Sequence, residues 1–315
     1  IPAYVSKIYI FDWAISELPI DFRYKTDFYL TGRTLYINGG GDPHFVIGYL
    51  RNIIAKIYQE KKVLINTFVF SPDFYFNWQS SPKDVQMSLF KSLKEGAGAP
   101  IAPKIRVIIG EGRYPGAGDK YQFQSAPLPA LIKQINDYST NSSADSLFHR
   151  LGGSSGFAIY MKKTYGVDSK YIVFRTGSGL SGNYTTCNLT LRVLRHLDEQ
   201  ISKNNLLLTD IMSVPTVDPG VLNKRLIDKE YAQSVVAKSG FVNYHHSLAG
   251  IINTKKGSIY FAIFTDFDDM KKSGPARAMI DRFLNDTLER NKKILKSFHY
   301  IPDFTLIKAF RISRE

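Results

Sequence analysis

The stretch AQSVVAKSGFVNYHHSLAGIINTKKGSIYFAIFTDF, residues 232–267, predicts three β-strands. Its runs of β-branched and aromatic residues are typical of strands, and the breaks between them leave room only for short turns. Strands joined by such short turns run antiparallel, so we expect an antiparallel meander. A long helical pattern follows at 273–295, with Pro275 near its start, where the missing N–H costs little. A meander with a closing helix indicates an α+β fold.

Helical patterns also fill the chain before the meander. The chain opens with IPAYVSKIYIFDWAISELP, residues 1–19, where Pro2 suits a first helical turn and apolar side chains recur at helical spacing from Ile8 to Ile15. Residues 171–187 predict a strand and a loop. Further helical patterns lie at 127–138, 142–151, 154–166 and 189–203.

Residues 22–124 have a different pattern from the segments on either side and predict an insertion. Strands alternate with a helix there: two strands between Asp21 and Phe45 around a Thr31-Gly32 turn, a helix at 46–60, a buried strand at 63–70, and a strand, glycine-rich loop and strand at 105–123. We therefore predict one domain from residues 1–21 and 125–315, with a smaller α/β subdomain inserted at 22–124.

Composition limits the classes of function. The 315 residues carry a net charge of +13 that is spread along the chain, which indicates a solvated basic surface or attraction to a polyanion. Neither zinc-finger spacing nor an RNA-binding aromatic signature supports a nucleic-acid partner. Cys187 is the only cysteine, which excludes an internal disulfide. Uncharged apolar runs are too short for a membrane span. The chain begins within a helical pattern, so the sequence leaves open whether residue 1 is the natural start.

Three features that suggest ligand sites are weak. GEGRYPGAG, residues 110–118, lacks the Gly-Lys-Ser/Thr ending of a phosphate loop. His245 and His246 are neighbours on a predicted strand, so they point to opposite faces and make a poor metal pair. A group of aspartates just past the last predicted strand lacks the spacing of a calcium-binding loop, which favours a solvated turn: Asp266, Asp268 and Asp269. We predict no metal and no cofactor.

Three short elements are common singly but informative in this order. Tyr4 and Lys7 share one face of the first predicted helix. STN, residues 139–141, separates two predicted helices and by itself suggests a helix cap. KSG, residues 238–240, lies on a predicted strand, where by itself it suggests an edge charge and a bulge. Together they match the three-part signature of penicillin-recognising serine enzymes, except at Tyr4.

The chemistry of that signature explains its residue types. A nucleophile at a helix start gains from the dipole and the free N–H groups there, and a lysine one turn later accepts its proton. The serine and asparagine of the second element relay protons and hold the substrate amide. The strand lysine and its neighbouring hydroxyl hold the substrate carboxylate. The amide that follows the glycine, here that of Phe241, completes the oxyanion hole.

Longer stretches extend the match. The chain resembles the D-alanyl-D-alanine carboxypeptidase/endopeptidase family of low-molecular-mass penicillin-binding proteins, in the branch with a large insertion after the first element. The resemblance runs from about residue 1 to about residue 290 in the family's order. It rests on PAYVSK at 2–7, LPIDFRYKT at 18–26, GGGDP at 39–43, STNSSAD at 139–145, TGSGLSG at 176–182 and AKSGFVNYHHSLAG at 237–250.

This resemblance implies the fold, the partners and the site. The fold would be a penicillin-binding transpeptidase/β-lactamase-like domain, an antiparallel sheet flanked by helices, located in the periplasm or elsewhere outside the cytoplasm. The partners would be a peptidoglycan stem peptide or another envelope component, and envelope proteins. The implied catalytic residues are Tyr4 (in the nucleophile position), Lys7, Ser139, Asn141 and Lys238, and the implied substrate-binding residues are Ser239, Gly240 and Phe241.

Three departures from the family pattern affect function. Tyr4 replaces the nucleophilic serine, and the insertion is shorter than is usual in the family. The family's leading segment, whose strands complete the main sheet, is not in this sequence, so we expect either that it lies on a piece outside the sequence or that the sheet is incomplete. A tyrosine oxygen lies about 6.5 Å from its Cα, against about 2.4 Å for serine, so it cannot occupy the serine position. Ser6 is no substitute, because it lies about 100° around the helix from Lys7.

The sequence therefore predicts a degenerate homologue that forms no acyl-enzyme and acts as a binding or structural protein of the cell envelope. Two alternatives remain open at this point. One is an active carboxypeptidase/endopeptidase that uses the tyrosine as an unusual nucleophile. The other is an unrelated function, such as adhesion through the basic surface, which high salt would weaken.

Overall fold

A computed structural model describes residues 2–95, 100–110, 118–180, 182–223, 225, 231, 233–303 and 309–314. The glycine-rich stretch at 111–117 and Ser181 of the TGSGLSG stretch lie outside the described residues. The helices are, in chain order, α1 (Ser6–Glu17), α2 (Ile47–Lys61), α3 (Pro82–Glu95), α4 (Leu128–Tyr138), α5 (Asn141–Arg150), α6 (Gly153–Tyr165), α7 (Cys187–Lys203) and α8 (Ser273–Asn291). The strands are β1 (Lys25–Thr31), β2 (Thr34–Asn38), β3 (Ile65–Phe70), β4 (Ile101–Ile109), β5 (Asp119–Gln124), β6 (Val235–Val242), β7 (His245–Thr254), β8 (Gly257–Asp266) and β9 (Arg311–Arg314).

The chain divides into two compact units. The first unit combines Ile1–Asp21 with Leu128–Phe304, and the second combines Phe22–Pro127 with Thr305–Glu315. The predicted domains placed everything after residue 125 in the first unit, and the structure differs there at the C-terminal end. Arg311–Arg314 pairs antiparallel with β5 of the second unit. Four residues are too few for a periodic pattern, so only the pairing identifies this strand.

The first unit confirms the predicted antiparallel meander. Its sheet has the order β6-β7-β8, with Gly240 opposite Ser247 and Phe241 opposite His246. Helix α8 packs on the sheet through Ile280, Leu284 and Leu288, whose spacing of four residues forms one apolar stripe. Helix α7 packs against β7 and β8 and against α1. This arrangement is the α+β fold that the sequence predicts.

The described residues between 171 and 186 contain no β-strand where the sequence predicts one. Within this segment, the described backbone makes only an isolated bridge between Val173 and Tyr184. The Asn183 side chain accepts hydrogen bonds from the amides of Arg175 and Thr176 at 2.9 and 3.3 Å and donates one to the Thr176 carbonyl at 2.8 Å. Because a side chain satisfies these backbone groups, the segment needs no strand partner.

The second unit is a mixed α/β layer. Its sheet has the order β4-β3-β2-β1-β5-β9, in which β2, β3 and β4 are parallel and the other pairs are antiparallel. Helix α2 connects β2 to β3, and α3 lies between β3 and β4 in the chain, as parallel neighbours require. The core is built of large apolar side chains, among them Phe28, Ile37, Ile54, Phe68 and Leu89. Within the described residues, none of the helices is both long and apolar enough to cross a membrane.

Candidate functional site

The first element lies where a tight turn leads into α1. A 3₁₀ turn at Ala3–Val5 precedes α1, and Ala3 has a φ of 47°, in the left-handed region that favours glycine. The Ser6 hydroxyl donates to the Ala3 carbonyl at 2.6 Å and holds this turn closed. Tyr4 is thereby positioned just before the first full helical turn, with Lys7 on the buried side of that turn.

Lys7 is fully buried beneath Tyr4. Its Nζ donates to Asn141 Oδ1 at 2.9 Å and to the Ser178 carbonyl at 3.1 Å, and it lies 4.3 Å from the centroid of the Tyr4 ring. Burial lowers the pKa of Lys7 well below its usual value, the charge of Lys238 lowers it further, and Asp145 opposes the shift. The neutral amine, which can accept a proton, is therefore favoured.

The second element joins α4 to α5. Ser139 has a φ of 54°, a left-handed backbone that turns the chain sharply between the two helices. The cap interpretation of this element is wrong, because Thr140 is the N-cap residue and makes no side-chain cap bond. The side chains on either side of Thr140 instead accept hydrogen bonds from lysines. Ser139 Oγ accepts from Lys238 Nζ at 3.0 Å, and Asn141 Oδ1 accepts from Lys7 Nζ.

The third element lies on strand β6, which borders the 3₁₀ turn. Lys238 is fully buried, and its Nζ also donates to the Ser239 carbonyl at 2.9 Å. Burial lowers the pKa of Lys238 to about 7, against the charge of Asp137, while Arg225 lowers it further. Burial raises the pKa of Asp137 to about 7, against the charge of Lys133. Both groups of this pair therefore titrate close to neutral pH.

Gly240 lets β6 approach the 3₁₀ turn closely. A Cβ on Gly240 would lie 2.3 Å from Ser247 Oγ and 2.7 Å from the Tyr4 backbone nitrogen. The Ser247 hydroxyl also donates to the Pro2 carbonyl at 2.7 Å, which ties the same turn to β7. The absence of a side chain at Gly240 thus keeps the Tyr4 amide beside the strand that carries Phe241, where two amides could face one oxyanion.

We expect the Gly240→Ala substitution to destabilise the first unit by about 1–3 kcal/mol, because the added methyl must displace backbone or a buried hydroxyl. Denaturant unfolding of the purified protein measures this loss. Gly274→Ala is the matched control, since a Cβ on Gly274 meets no atom within 4 Å. A Gly240→Ala protein as stable as the Gly274→Ala protein would contradict the expected clash.

The loop that contains Ser178 and Gly179 holds Lys7 in place, although by itself this loop indicated little in the sequence. The Ser178 amide donates to Asp145 Oδ1 at 2.7 Å, while the Ser178 carbonyl accepts from Lys7. Gly179 has a φ of +80°, and a Cβ there would lie 2.0 Å from Ser6 Oγ. Asp145 and Ser178 were not among the predicted site residues, although TGSGLSG and STNSSAD were part of the family resemblance.

The three elements border one cavity of about 530 Å³ in the first unit. Five predicted site residues line it, while Lys7, Asn141 and Lys238 connect to them by the contacts above. The described lining residues are Tyr4, Tyr138, Ser139, Val221, Arg225, Ser239, Gly240, Phe241, His246, Ser273, Gly274 and Arg277. Sequence reasoning missed Arg225 and Arg277, because neither belongs to a short motif.

The two adjacent histidines have separate partners. His245 Nδ1 lies 2.6 Å from Asp266 Oδ1, whereas His246 Nε2 lies 2.9 Å from Ser273 Oγ at the cavity. The His246 ring is stacked between Phe241 and Phe267, with centroid distances of 4.5 and 5.4 Å. Within the described residues, no group of three or more metal-ligating side chains is present.

The fold and the three elements define a penicillin-recognising class of protein. The sequence model of the D-Ala-D-Ala carboxypeptidase 3 (S13) family matches residues 116–287. This range covers more than half of the chain, so the chain belongs to that family. It includes the second and third elements, while Tyr4 and Lys7 lie before it. No curated protein sequence matches the chain.

Solved structures of similar proteins agree with this assignment. The chain is similar to the Bd3459 predatory endopeptidase from Bdellovibrio bacteriovorus, with 26% identity, a TM-score of 0.84, and coverage of 96% of this chain and 89% of that chain. The Bd0816 predatory endopeptidase from the same organism, solved with the immunity protein Bd3460, has 27% identity, a TM-score of 0.81 and coverage of 96% and 90%. Penicillin binding protein 4 from Haemophilus influenzae shares the fold at 16% identity, a TM-score of 0.67 and coverage of 90% and 91%.

Proposed function

We propose that this chain binds peptidoglycan-type peptides reversibly in the cell envelope and forms no covalent acyl-enzyme. Membership of the D-Ala-D-Ala carboxypeptidase 3 (S13) family supports a role in peptidoglycan recognition. A similar protein, Bd3459, is described as a predatory peptidoglycan endopeptidase, which supports the same class of ligand. The chain would share that ligand class without the covalent chemistry.

The observation that carries this proposal is the side chain at position 4. Tyr4 stands where the family has its nucleophilic serine, and Lys7 Nζ lies 4.3 Å from the centroid of its ring. The phenol oxygen lies about 6.5 Å from Cα, so it cannot attack from the position of a serine oxygen. The lysine that would accept the proton has an aromatic face above it instead of a hydroxyl.

A tyrosine nucleophile is the weaker alternative. Activation by Lys7 would require a hydrogen bond between Nζ and the phenol oxygen, since a nucleophile and its base must be within about 3.2 Å. Among the described residues, no hydrogen bond joins the Tyr4 hydroxyl to Lys7 or Lys238, and the hydrogen bonds of Lys7 Nζ go to Asn141 and Ser178. This geometry favours the non-covalent function.

The groups that would hold a peptide carboxylate are retained. Lys238, Ser139 and Ser239 keep the side-chain types of the family pattern, and the Lys238 ammonium is fixed between Ser139 Oγ and the Ser239 carbonyl. An ammonium held by two acceptors is preorganised for an incoming carboxylate. We propose that Ser239 Oγ and the Phe241 amide, both at the cavity, complete this contact.

Two measurements on the wild-type protein test the proposal. Fluorescent penicillin should leave the chain unlabelled, and a pentapeptide ending in D-Ala-D-Ala should release no D-alanine. Saturation-transfer NMR should nevertheless detect reversible binding of N-acetyl-D-Ala-D-Ala, and Lys238→Met should abolish it. Covalent labelling would overturn the non-acylating part of the proposal, and absence of peptide binding would overturn the recognition part.

The pKa of Lys238 gives this binding an expected pH dependence. Because that pKa is about 7, the ammonium that attracts a carboxylate is present below this pH and is lost as the pH rises through it. We expect the affinity for N-acetyl-D-Ala-D-Ala to fall several-fold between about pH 6 and about pH 8. Titrations at the two pH values measure it. An affinity that is flat over this range would contradict the assigned role of Lys238.

We also propose that the chain acts outside the cytoplasm and contacts envelope proteins. The relatives Bd3459 and Bd0816 were each solved with an immunity protein, which supports a protein partner for the family's fold. Cell fractionation with an antibody against the chain tests the location. Recovery in the cytoplasmic fraction alone would contradict it.

A further inference from the structure

The cavity has a second positively charged end that the family pattern does not require. Arg225 and Arg277 both line it, together with His246 and Ser273, and the described lining residues include no carboxylate. Arg277 lies on α8 and is exposed, while Arg225 is only 6% exposed. Two separate parts of the chain therefore bring their guanidinium groups to one cavity.

Among the described residues, the charges at this end are not balanced. Arg225 donates from one terminal nitrogen to Asp281 Oδ1 at 3.1 Å, and its buried Nε has no hydrogen-bond partner among the described residues. Burial lowers the pKa of Arg225, and the charge of Arg277 lowers it further, so the two cations are close enough to repel each other. One carboxylate against two guanidinium groups leaves a net positive charge, which an anion placed between them would stabilise.

The two arginines extend the positive charge of the cavity from Lys238 toward α8, since Arg225 is close enough to Lys238 for its charge to lower the pKa of that lysine. Ser239 and Phe241 are two residues apart on β6, which places them about 7 Å apart along the strand. His246 is opposite Phe241 in the register of β6 and β7, and its ring contacts Ser273 at the start of α8. A carboxylate held beside Ser239 therefore leaves room in the same cavity for a second acidic group several bonds away.

We infer that Arg225 and Arg277 form a second anion-binding subsite, so that the preferred peptide carries an acidic side chain on the residue whose terminal carboxylate is held beside Ser239. This inference rests on the proposed peptide binding. It names the ligand class more narrowly: a peptide whose terminal D-residue is itself acidic, with a side chain long enough to reach α8. Such a residue fits better than a terminal D-alanine, which brings no second anion to the two arginines.

The test compares two peptides that differ only in the second charge. N-acetyl-D-Ala-D-Glu and N-acetyl-D-Ala-D-Gln are titrated into the full chain and followed by saturation-transfer NMR. We expect the D-Glu peptide to bind about tenfold more tightly, because charge-assisted hydrogen bonds to guanidinium are about twice as strong as neutral ones. The preference should fall toward equal affinity in Arg277→Gln, whose exposed side chain makes misfolding an unlikely outcome.

Arg282→Gln is the matched control. Arg282 is exposed on the same helix and does not line the cavity, so it changes the net charge equally and should keep the preference. Loss of the preference in Arg282→Gln, or its retention in Arg277→Gln, overturns the subsite. Equal binding of both peptides to the wild type overturns the subsite alone. Failure of both peptides to bind overturns the proposed function as well.

Discussion

Replacing Tyr4 with serine is expected to make fluorescent penicillin label the chain covalently, in contrast to the unlabelled wild type that the proposed function predicts. A serine hydroxyl lies about 2.4 Å from its Cα, which would bring it beside Lys7. The pKa of Lys7 is already lowered by burial, and Asn141 already orients its amine. Restoring a nucleophile next to a prepared base should raise the acylation rate by several orders of magnitude. Gel fluorescence after timed incubation measures the change.

Two further variants separate a restored nucleophile from a merely widened cavity. Tyr138→Ser makes the same substitution at a second tyrosine that lines the cavity, one whose side chain is exposed, and it should stay unlabelled. Tyr4→Ser combined with Lys7→Ala should also stay unlabelled, because the base is removed. If Tyr4→Ser alone remains unlabelled while folded, then Tyr4 is not the only missing part of the catalytic site.

The second large effect concerns a buried carboxylate on α1. Asp12 is fully buried five residues after Lys7. Its Oδ2 accepts from the hydroxyls of Tyr160 and Tyr165 at 2.6 and 2.5 Å, and its Oδ1 lies 2.7 Å from His196 Nδ1. Burial and the Asp12 charge raise the pKa of both tyrosines, so they remain donors. One side chain thus links α1 to α6 and α7.

We expect Asp12→Ala to lower the free energy of unfolding of the first unit by about 3 kcal/mol or more. The substitution leaves two buried hydroxyls and an imidazole without their shared acceptor, and unpaired buried polar groups are costly. Thermal and denaturant unfolding measure the loss. Should Asp12→Ala fail to fold, Asp12→Asn keeps the shape and one acceptor oxygen and gives a measurable intermediate value.

Asp168→Ala provides the matched control in the same unit. Asp168 forms a salt bridge with Lys162, and the two side chains are 50% and 61% exposed, respectively. An exposed pair of this kind contributes at most about 1 kcal/mol. If Asp12→Ala costs no more than Asp168→Ala, then the hydrogen bonds of Asp12 do not stabilise the unit.

Much of the fold could be predicted because its patterns are local. The alternation and turns of residues 232–267 predicted the meander that the structure contains, and apolar spacing predicted α1 and α7. The strand expected within 171–187 is missing because one side chain, that of Asn183, takes the backbone hydrogen bonds. Asn183 is 8 positions away from Arg175, whose amide it binds, and a single contact of this kind produces no periodic pattern in the sequence.

The site could be predicted only as far as its motifs extend. The order of Tyr4, STN and KSG predicted which residues lie together, and the contacts of Lys7 with Asn141 and of Lys238 with Ser139 follow that order. Arg225 and Arg277 belong to no motif. The packing of α8 on the sheet brings Arg277 to the cavity, and Asp281 of the same helix accepts a hydrogen bond from Arg225 there.

By itself, the sequence determined the fold class and the order of the site elements, and it led to the proposal that Tyr4 replaces a nucleophile, because each depends on residue type and spacing along the chain. Only the tertiary structure decided the protonation preference of the lysines and the charge at the far end of the cavity. Burial of Lys7 and Lys238 beside each other disfavours their charged forms. The repulsion between Arg225 and Arg277 likewise exists only once both reach one cavity wall. Such effects depend on distances between residues far apart in sequence, which no local pattern encodes.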